Sequence, residues 1–482
     1  MSLIKDAPGA RLSLATIFLF ALANLPIGAL AVAIPVYLPA HFASHLGVSL
    51  GVVGGAWALV RLLDVGVDPI LGLIMDRTRT RVGRYRPWLL IGAPILMLAT
   101  YALFMAHPGI GSVYLVGWLL VLFLGFSILT LGHSAWGATL STGYNERSRV
   151  FGFVTAVGVI GAVTVLIFPI IAKGLGHTPT QGVQDMGWFV IISTPLTIAI
   201  CCLLTKETVS PDLGHPKFRL RDYWSLIVKP DLMRLYLAQM ALTLGPGWMS
   251  ALYLFFFTDS RGYTGEQASL LLLIYILAGI VGAPVTAAIA HRLSKHRTLL
   301  LTATCYSLGL CTVMLIPKGN FWAGAPTMFW CGFMASGFDL MIRAMLADVG
   351  DEVRLEQGQE RLSLIYALNT LSGKIAAAFA IGLTYPLVGK LGYVAREGFH
   401  NTPQAIRSLE LAFIIGPIIF VMLGGLCVLG WRLDAAKHAQ IRVQLDHLDA
   451  GHALYEEAPI LESISGQPAV ATLTAGPDAA SR

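Results

Sequence analysis

Twelve stretches of roughly 20 apolar residues run through this chain, and each is long enough to cross a bilayer as a helix. They fall near 12–38, 49–75, 87–106, 112–140, 150–172 and 186–205, then 232–258, 267–290, 298–317, 322–347, 361–388 and 408–431. Length alone would suggest two or three soluble domains, but only 12% of residues are charged and 56% are hydrophobic. Soluble domains carry roughly 25% charge, so lipid is the solvent this composition requires. The first run is longer than a signal-peptide core and no small-residue cleavage site follows it, so it is expected to remain as a span. The fold class expected is an all-α membrane protein.

Basic residues fix a direction. The stretch Asp76–Pro87 (DRTRTRVGRYRP) holds five arginines, His291–Arg297 adds three basic residues, and Lys206–Asp231 adds five. The alternate loops Pro39–Val48 and His107–Gly111 carry neither Lys nor Arg. The positive-inside rule then predicts a multi-pass protein of a bacterial-type inner membrane with both termini cytoplasmic. This placement also accounts for the net charge of +6 without nucleic acid.

The polar break 206–231 divides six spans from six. The halves echo each other, since Pro69 precedes Arg77 and Pro284 precedes Arg292 by the same eight residues. The expected organisation is an N-terminal six-helix bundle (1–205), a central cytoplasmic loop (206–231), a C-terminal bundle (232–435) and a cytoplasmic tail (436–482). The tail reads as a short helix over 436–448, then a disordered segment from Glu456 onward. The six cysteines lie inside apolar runs without metal-ligand spacing, and read as small buried side chains rather than a disulfide framework.

Ionisable residues inside the spans are the strongest clues, because each costs roughly 2.5–3.5 kcal/mol to insert. Arg61, Asp64 and Asp68 stand at i, i+3 and i+7, one face of a helix. Two carboxylates one turn apart can bind a hard cation such as sodium, or share a proton, and Pro69 can bare a carbonyl beside them. The structural alternative is that Arg61 neutralises one aspartate and braces the helix. Lys374, deep in the eleventh span, needs an acidic partner, and Asp64 or Asp68 is the natural candidate. Asp339 and Arg343, at i and i+4, can pair with each other or bind solute. Asp76, Arg77 and Arg84 at one loop, and Asp348, Asp351 and Glu352 at another, can form a cytoplasmic gate or simply be solvated. His133 and Trp136 could hydrogen-bond and stack against a sugar, or serve as packing. Trp57, Trp248 and Trp330 read as packing.

Three stretches carry a family resemblance. RLLDVGVDPILGLIMDRTRTRVGRYRPW at Arg61–Trp88, MLADVGDEVRLEQGQERLSLIYALNTLSGK at Met345–Lys374 followed by Leu391-Gly392-Tyr393, and NERSR at Asn145–Arg149 resemble the glycoside–pentoside–hexuronide:cation symporters. The major facilitator loop signature is present as Gly72, Asp76-Arg77 and Gly83-Arg84. The resemblance implies a twelve-helix major facilitator fold, two six-helix bundles around a central cavity. It implies that Asp64 and Asp68 hold the coupling cation, that Lys374 lies near them, and that Trp136 helps line the sugar pocket. The sugar half departs from the pattern: no acid stands near Asn24–Pro26, Gly132 replaces an acid, Phe153–Val154 replaces an arginine, and Asp339 replaces an aromatic. A galactoside is therefore not implied; another sugar, a glycoside, a uronate or an amphiphile is left open.

The function expected is a secondary active transporter, symporting a sugar or glycoside with sodium or protons by alternating access. Its alternatives are an uncoupled facilitator or a symporter of an amphiphile such as a lysolipid. An enzyme is not expected, because no HxxxD, HExxH or HxxHH cluster exists among the twelve histidines. The expected partners are a small solute and membrane lipid. No cofactor beyond the coupling ion, no nucleic acid and no obligate protein partner are predicted.

Overall fold

The computed structural model describes residues 12–140, 144–207, 220–358 and 361–448, and among them every regular element is helical. Eleven helices are long and apolar enough to cross a membrane, and Leu50–Arg77, 28 residues but rich in charge, makes the twelfth. In chain order the first six spans are α1 (Leu14–Ala21, Asn24–Val32, a π segment Ala33–Tyr37, Leu38–Ser44), α2 (Leu50–Arg77), α3 (Arg86–Phe104), α4 (Ser112–Leu140), α5 (Tyr144–Gly174) and α6 (Pro179–Leu204). The second six are α7 (Pro230–Phe255, continuing as a π segment Phe256–Ser260), α8 (Gly265–Leu293), α9 (Lys295–Thr312), α10 (Phe321–Gln357), α11 (Leu362–Lys390) and α12 (Pro403–Cys427).

Several boundaries move for identifiable reasons. The sixth span starts at Pro179, not near 186, because Thr178 and Gln181 form a capping box around Pro at the first turn. The twelfth starts at Pro403 in the same way, with Thr402 accepting from the Ala405 amide. The tenth runs ten residues past the expected 347, since its polar end is a good helix that stops only at left-handed Gly358. The first continues to Ser44 through its π segment, with Pro35 inside. The central loop is not wholly irregular: Leu220–Ile227 is a short helix. The tail helix covers 435–448, and the segment from Glu456 lies outside the described residues. Among the cysteines, Cys201, Cys202 and Cys331 are buried but Cys311 is exposed. Trp57 and Trp248 are buried, whereas Trp330 is exposed, its indole donating to the Cys305 carbonyl at 2.8 Å.

The helices pack as two sets of six with the same internal pattern. In the first, α1 meets α5, α2 meets α4, and α3 packs on α4 and α6; in the second, α7 meets α11, α8 meets α10, and α9 packs on α10 and α12. The halves meet along two seams, α2 against α11 and α5 against α8, which the same pseudo-symmetry exchanges. Without a hydrophobic driving force between helices in lipid, close approach depends on small residues. Glycine supplies it in both halves. A Cβ on Gly28 would lie 2.0 Å from the Gly158 carbonyl oxygen in the α1–α5 contact, and one on Gly332 would lie 2.0 Å from that of Tyr275 in the α10–α8 contact.

Gly332→Val should therefore force α8 and α10 apart and cost roughly 1–3 kcal/mol as overpacking. Thermal unfolding in detergent should show a lowered midpoint. Gly55→Ala, where a Cβ meets open space, should leave the midpoint where it is.

Candidate functional site

Halfway along α2, the face that carries Arg61, Asp64 and Asp68 turns toward α4 and α11. The Lys374 ammonium, from mid-α11, donates to Asp64 Oδ2 at 3.0 Å and to Asp68 Oδ2. Both aspartates predicted as its candidates thus share it. The other oxygen of Asp64 accepts from the Ser127 hydroxyl of α4 at 2.9 Å, and the Arg61 guanidinium reaches Asp64 Oδ2 only at 3.4 Å. Arg61 lies instead 4.4 Å over the Phe123 ring, a cation–π contact. Asp68 Oδ1 is buried without a hydrogen-bond partner. Two cations face two carboxylates, so the cluster closes its own charge. It joins the two halves at mid-membrane, with one oxygen of Asp68 left unpartnered among the described residues.

Beside it lies a cleft of about 310 Å³ between α7, α8 and α10, lined among others by Gln239, Thr243, Tyr275, Ser336 and Asp339. Gln239 Nε2 donates to Thr243 at 3.0 Å, while its Oε1 is buried without a partner. Gly373, the neighbour of Lys374, borders this cleft: a Cβ there would stand 3.7 Å from Gln239 Nε2. Asp339 pairs with Arg343 at 2.6 Å, both side chains being more than half exposed. Gln239, Thr243 and Tyr275 were not singled out from sequence, where an uncharged polar residue in a span has no distinguishing mark.

His133 and Trp136 are packed rather than displayed. His133 stacks on Phe20, with ring centres 4.3 Å apart, and its Nε2 lies 3.0 Å from the Phe20 carbonyl oxygen. Trp136 is 0% exposed, covered by Phe20 edge-on and by the Arg86 guanidinium at 5.4 Å. A solute cannot touch either ring in this conformation. The Asn24 position that departs from the family's acid is a tie between helices, Nδ2 donating to the Val154 carbonyl at 2.8 Å.

The gate candidates sit at the basic face, and Arg84, Asp348 and Asp351 are bound within their own halves. Asp348 accepts from Lys295 at 2.7 Å, and Asp351 meets His438 at 3.0 Å and Arg442 at 3.6 Å, both on the tail helix. Arg84 is drawn to the Met75 carbonyl, and Arg77 is exposed. The side chain of Asp76 lies outside the described set. Glu207, after α6, was not foreseen: it accepts from the amides of Arg84 at 2.7 Å and Tyr85 at 2.8 Å, pinning the arginine loop to its own bundle. Gly83 is required there, since its φ is +130° and a Cβ would strike the Glu207 carboxylate.

At the opposite face the halves are tied directly. Tyr37 donates to Ser269 at 2.7 Å, Lys173 pairs with Glu266 at 2.7 Å, His45 with Glu397 at 2.7 Å, and the Glu397 amide donates to the Ser44 carbonyl at 3.1 Å. The first turns of α2 are pressed on the last turns of α11, where a Cβ on Gly54 would be 2.7 Å from Pro386. Tyr393, beyond α11, donates to Asp259 at 2.6 Å; burial, then the adjacent carboxylate, push its phenol pKa far up and keep it a donor.

Comparison with known proteins agrees with this arrangement. Residues 19–435 match the family described as MFS/sugar transport protein. An uncharacterised symporter of Bacillus subtilis (strain 168), YnaJ, is 24% identical over 82% of this chain and 88% of its own. The glucuronide carrier protein homolog of Escherichia coli (strain K12) is 23% identical over 81% of this chain and 86% of its own. A lactose permease of Lactobacillus delbrueckii subsp. bulgaricus is 27% identical over 80% of this chain, which spans 64% of that protein. The nucleoside transporter NupG shares the fold, with a TM-score of 0.64 and 11% identity over 87% of this chain and 100% of its own. The chain is a multi-pass membrane transporter, not an enzyme, and it belongs to the MFS/sugar transport protein family, the melibiose permease-like symporters of the major facilitator superfamily.

Proposed function

We propose that the protein carries a sugar or glycoside together with a cation, sodium or a proton, by alternating access between its two halves. The observation that carries this is the Lys374 ammonium held between Asp64 and Asp68. Lys374 occupies the place a cation would take. An incoming ion at Asp68 Oδ1, Asp64 and the Ser127 hydroxyl competes for the same carboxylates and loosens the ammonium. Lys374 then becomes available beside the Gln239 cleft, whose hydroxyl, amide and carboxylate groups suit a polyhydroxylated solute. Ion and solute favour the same arrangement of α2 against α11, which is all that coupling requires.

The conformation is one closed at the face of His45 and Glu397. The basic loops put that face outside if they are cytoplasmic. Opening it requires breaking the four ties there, and closing the basic face requires Asp348 to exchange Lys295, and Asp351 its tail-helix partners, for the arginines of 77–86.

Uptake into vesicles tests the scheme. A sodium or proton gradient should drive solute accumulation in the parent, and Asp64→Asn or Asp68→Asn should abolish the gradient effect while downhill exchange persists. Accumulation unaffected by any ion gradient would point to an uncoupled facilitator. Gln239→Leu should raise the KM for solute several-fold and leave ion binding intact, measurable by ion-dependent thermal stabilisation.

Stability should report the same cluster. Lys374→Ala leaves two carboxylates without their cation and should cost up to about 3–5 kcal/mol, as for a broken buried pair. Combining it with Asp68→Asn should restore part of the thermal midpoint. Ser127→Ala should cost about 1–3 kcal/mol, because Asp64 Oδ1 loses its donor.

A further inference from the structure

Outside the central cluster, a second buried group stands without a partner among the described residues: His41, in the last turn of α1. It is 2% exposed, and neither ring nitrogen has a hydrogen-bond partner among the described residues. Buried polar groups are nearly always satisfied, so an orphan pair on one ring calls for a water or an ion drawn from the space beside it. His41 lines a cavity of about 620 Å³ at the closed face, between the ends of α1, α5 and α7 and the segment that precedes α12. His45 stands one helical turn further on and lines the same cavity. The two imidazole centres are 5.4 Å apart. Two imidazoles on one tetrahedral ion, with bonds of about 2.0–2.1 Å, place their ring centres about 5 Å apart.

The second shell is also built. His45 Nδ1 lies 2.7 Å from Glu397 Oε2, which leaves Nε2 as the ligating nitrogen. Histidines that bind metal characteristically give their other nitrogen to a carboxylate, which fixes tautomer and direction. Glu397 comes from the other half of the molecule, and its amide is bound to the Ser44 carbonyl between the two histidines. Among the described residues no set of three or more His, Cys, Asp or Glu is arranged around a common point. The histidine pair therefore supplies two ligands, and water or chloride completes the shell.

We propose that His41 and His45 form a binding site for a borderline transition-metal ion, zinc(II) being the best fit to two neutral imidazoles. With Glu397 as orienting partner, an ion there strengthens the tie between the halves and holds this face closed. The site lies apart from Asp64, Asp68 and Lys374, and its binding test does not depend on the transport reading.

The test is calorimetric titration of zinc chloride into purified full-length protein whose affinity tag has been removed, with cobalt(II) absorption as the reporter of geometry. One equivalent should bind, and cobalt should give the intense visible bands of a tetrahedral site. His41→Gln and His45→Gln should each weaken binding at least about 100-fold. Glu397→Gln, on a mostly exposed side chain and so safe for folding, should weaken it about 10–100-fold. Zinc should also raise the thermal midpoint of the parent and not of the double histidine variant. Unchanged zinc affinity in the double variant overturns the proposal, as does a loss confined to one histidine, which would describe a surface imidazole. Unchanged affinity in Glu397→Gln overturns the cross-half tie.

Discussion

A single ammonium between two carboxylates at mid-membrane sets the terms for the rest of this molecule. Lys374 and the pair Asp64 and Asp68 come from different halves, so their attraction is also a tie between those halves. None of the three can stand alone in a medium of low dielectric, because an isolated charge there costs several kcal/mol. The helices around them are arranged so that each charge is answered. Ser127 of α4 satisfies the second oxygen of Asp64, and Phe123 of the same helix receives Arg61. Only Asp68 Oδ1 remains unanswered. A buried salt bridge is weak evidence for stability, since well-packed apolar residues often do as well. Under the proposed function its value is that it can be exchanged, a mobile ion competing with the tethered ammonium for the same oxygens.

The seams fit that role. Where α2 lies on α11, glycine and small side chains let the backbones nearly touch at the closed face, while the charged cluster sits further along the same pair of helices. Tight apolar packing thus lies at one end of the pair and a polar contact at its middle. The π segments Ala33–Tyr37 in α1 and Phe256–Ser260 in α7 fall near the same closed face. Both are irregular turns in otherwise long helices, and Tyr37 uses hers to reach Ser269 across the seam.

Much of this was legible in the sequence because oil makes charges conspicuous. The span count, the division into six and six, and the choice of Asp64, Asp68 and Lys374 all follow from hydropathy and from residues that should not be where they are. What the sequence did not disclose are partners of ordinary chemistry. Ser127, Gln239 and Tyr275 are unremarkable letters, and only the fold turns them toward the cluster and the cleft. Glu207 lies in a polar stretch where an acid needs no explanation, yet it fixes the arginine loop. His133 and Trp136 were open in the sequence to solute binding or to packing; in the fold Phe20 covers both and Arg86 lies over Trp136, contacts that no spacing rule predicts. The acids at 348 and 351, open in the sequence to a gate with other loops or to solvent, meet Lys295 at the start of α9 and His438 and Arg442 of the tail helix.

The central claim is that a mobile cation and Lys374 compete for Asp64 and Asp68. Thermal unfolding of the purified protein across a sodium series, repeated across a pH series, measures that most directly. The account predicts ion-dependent stabilisation in the parent that vanishes in Asp64→Asn and in Asp68→Asn alike. Stabilisation of the same size in the variant lacking both carboxylates would contradict it.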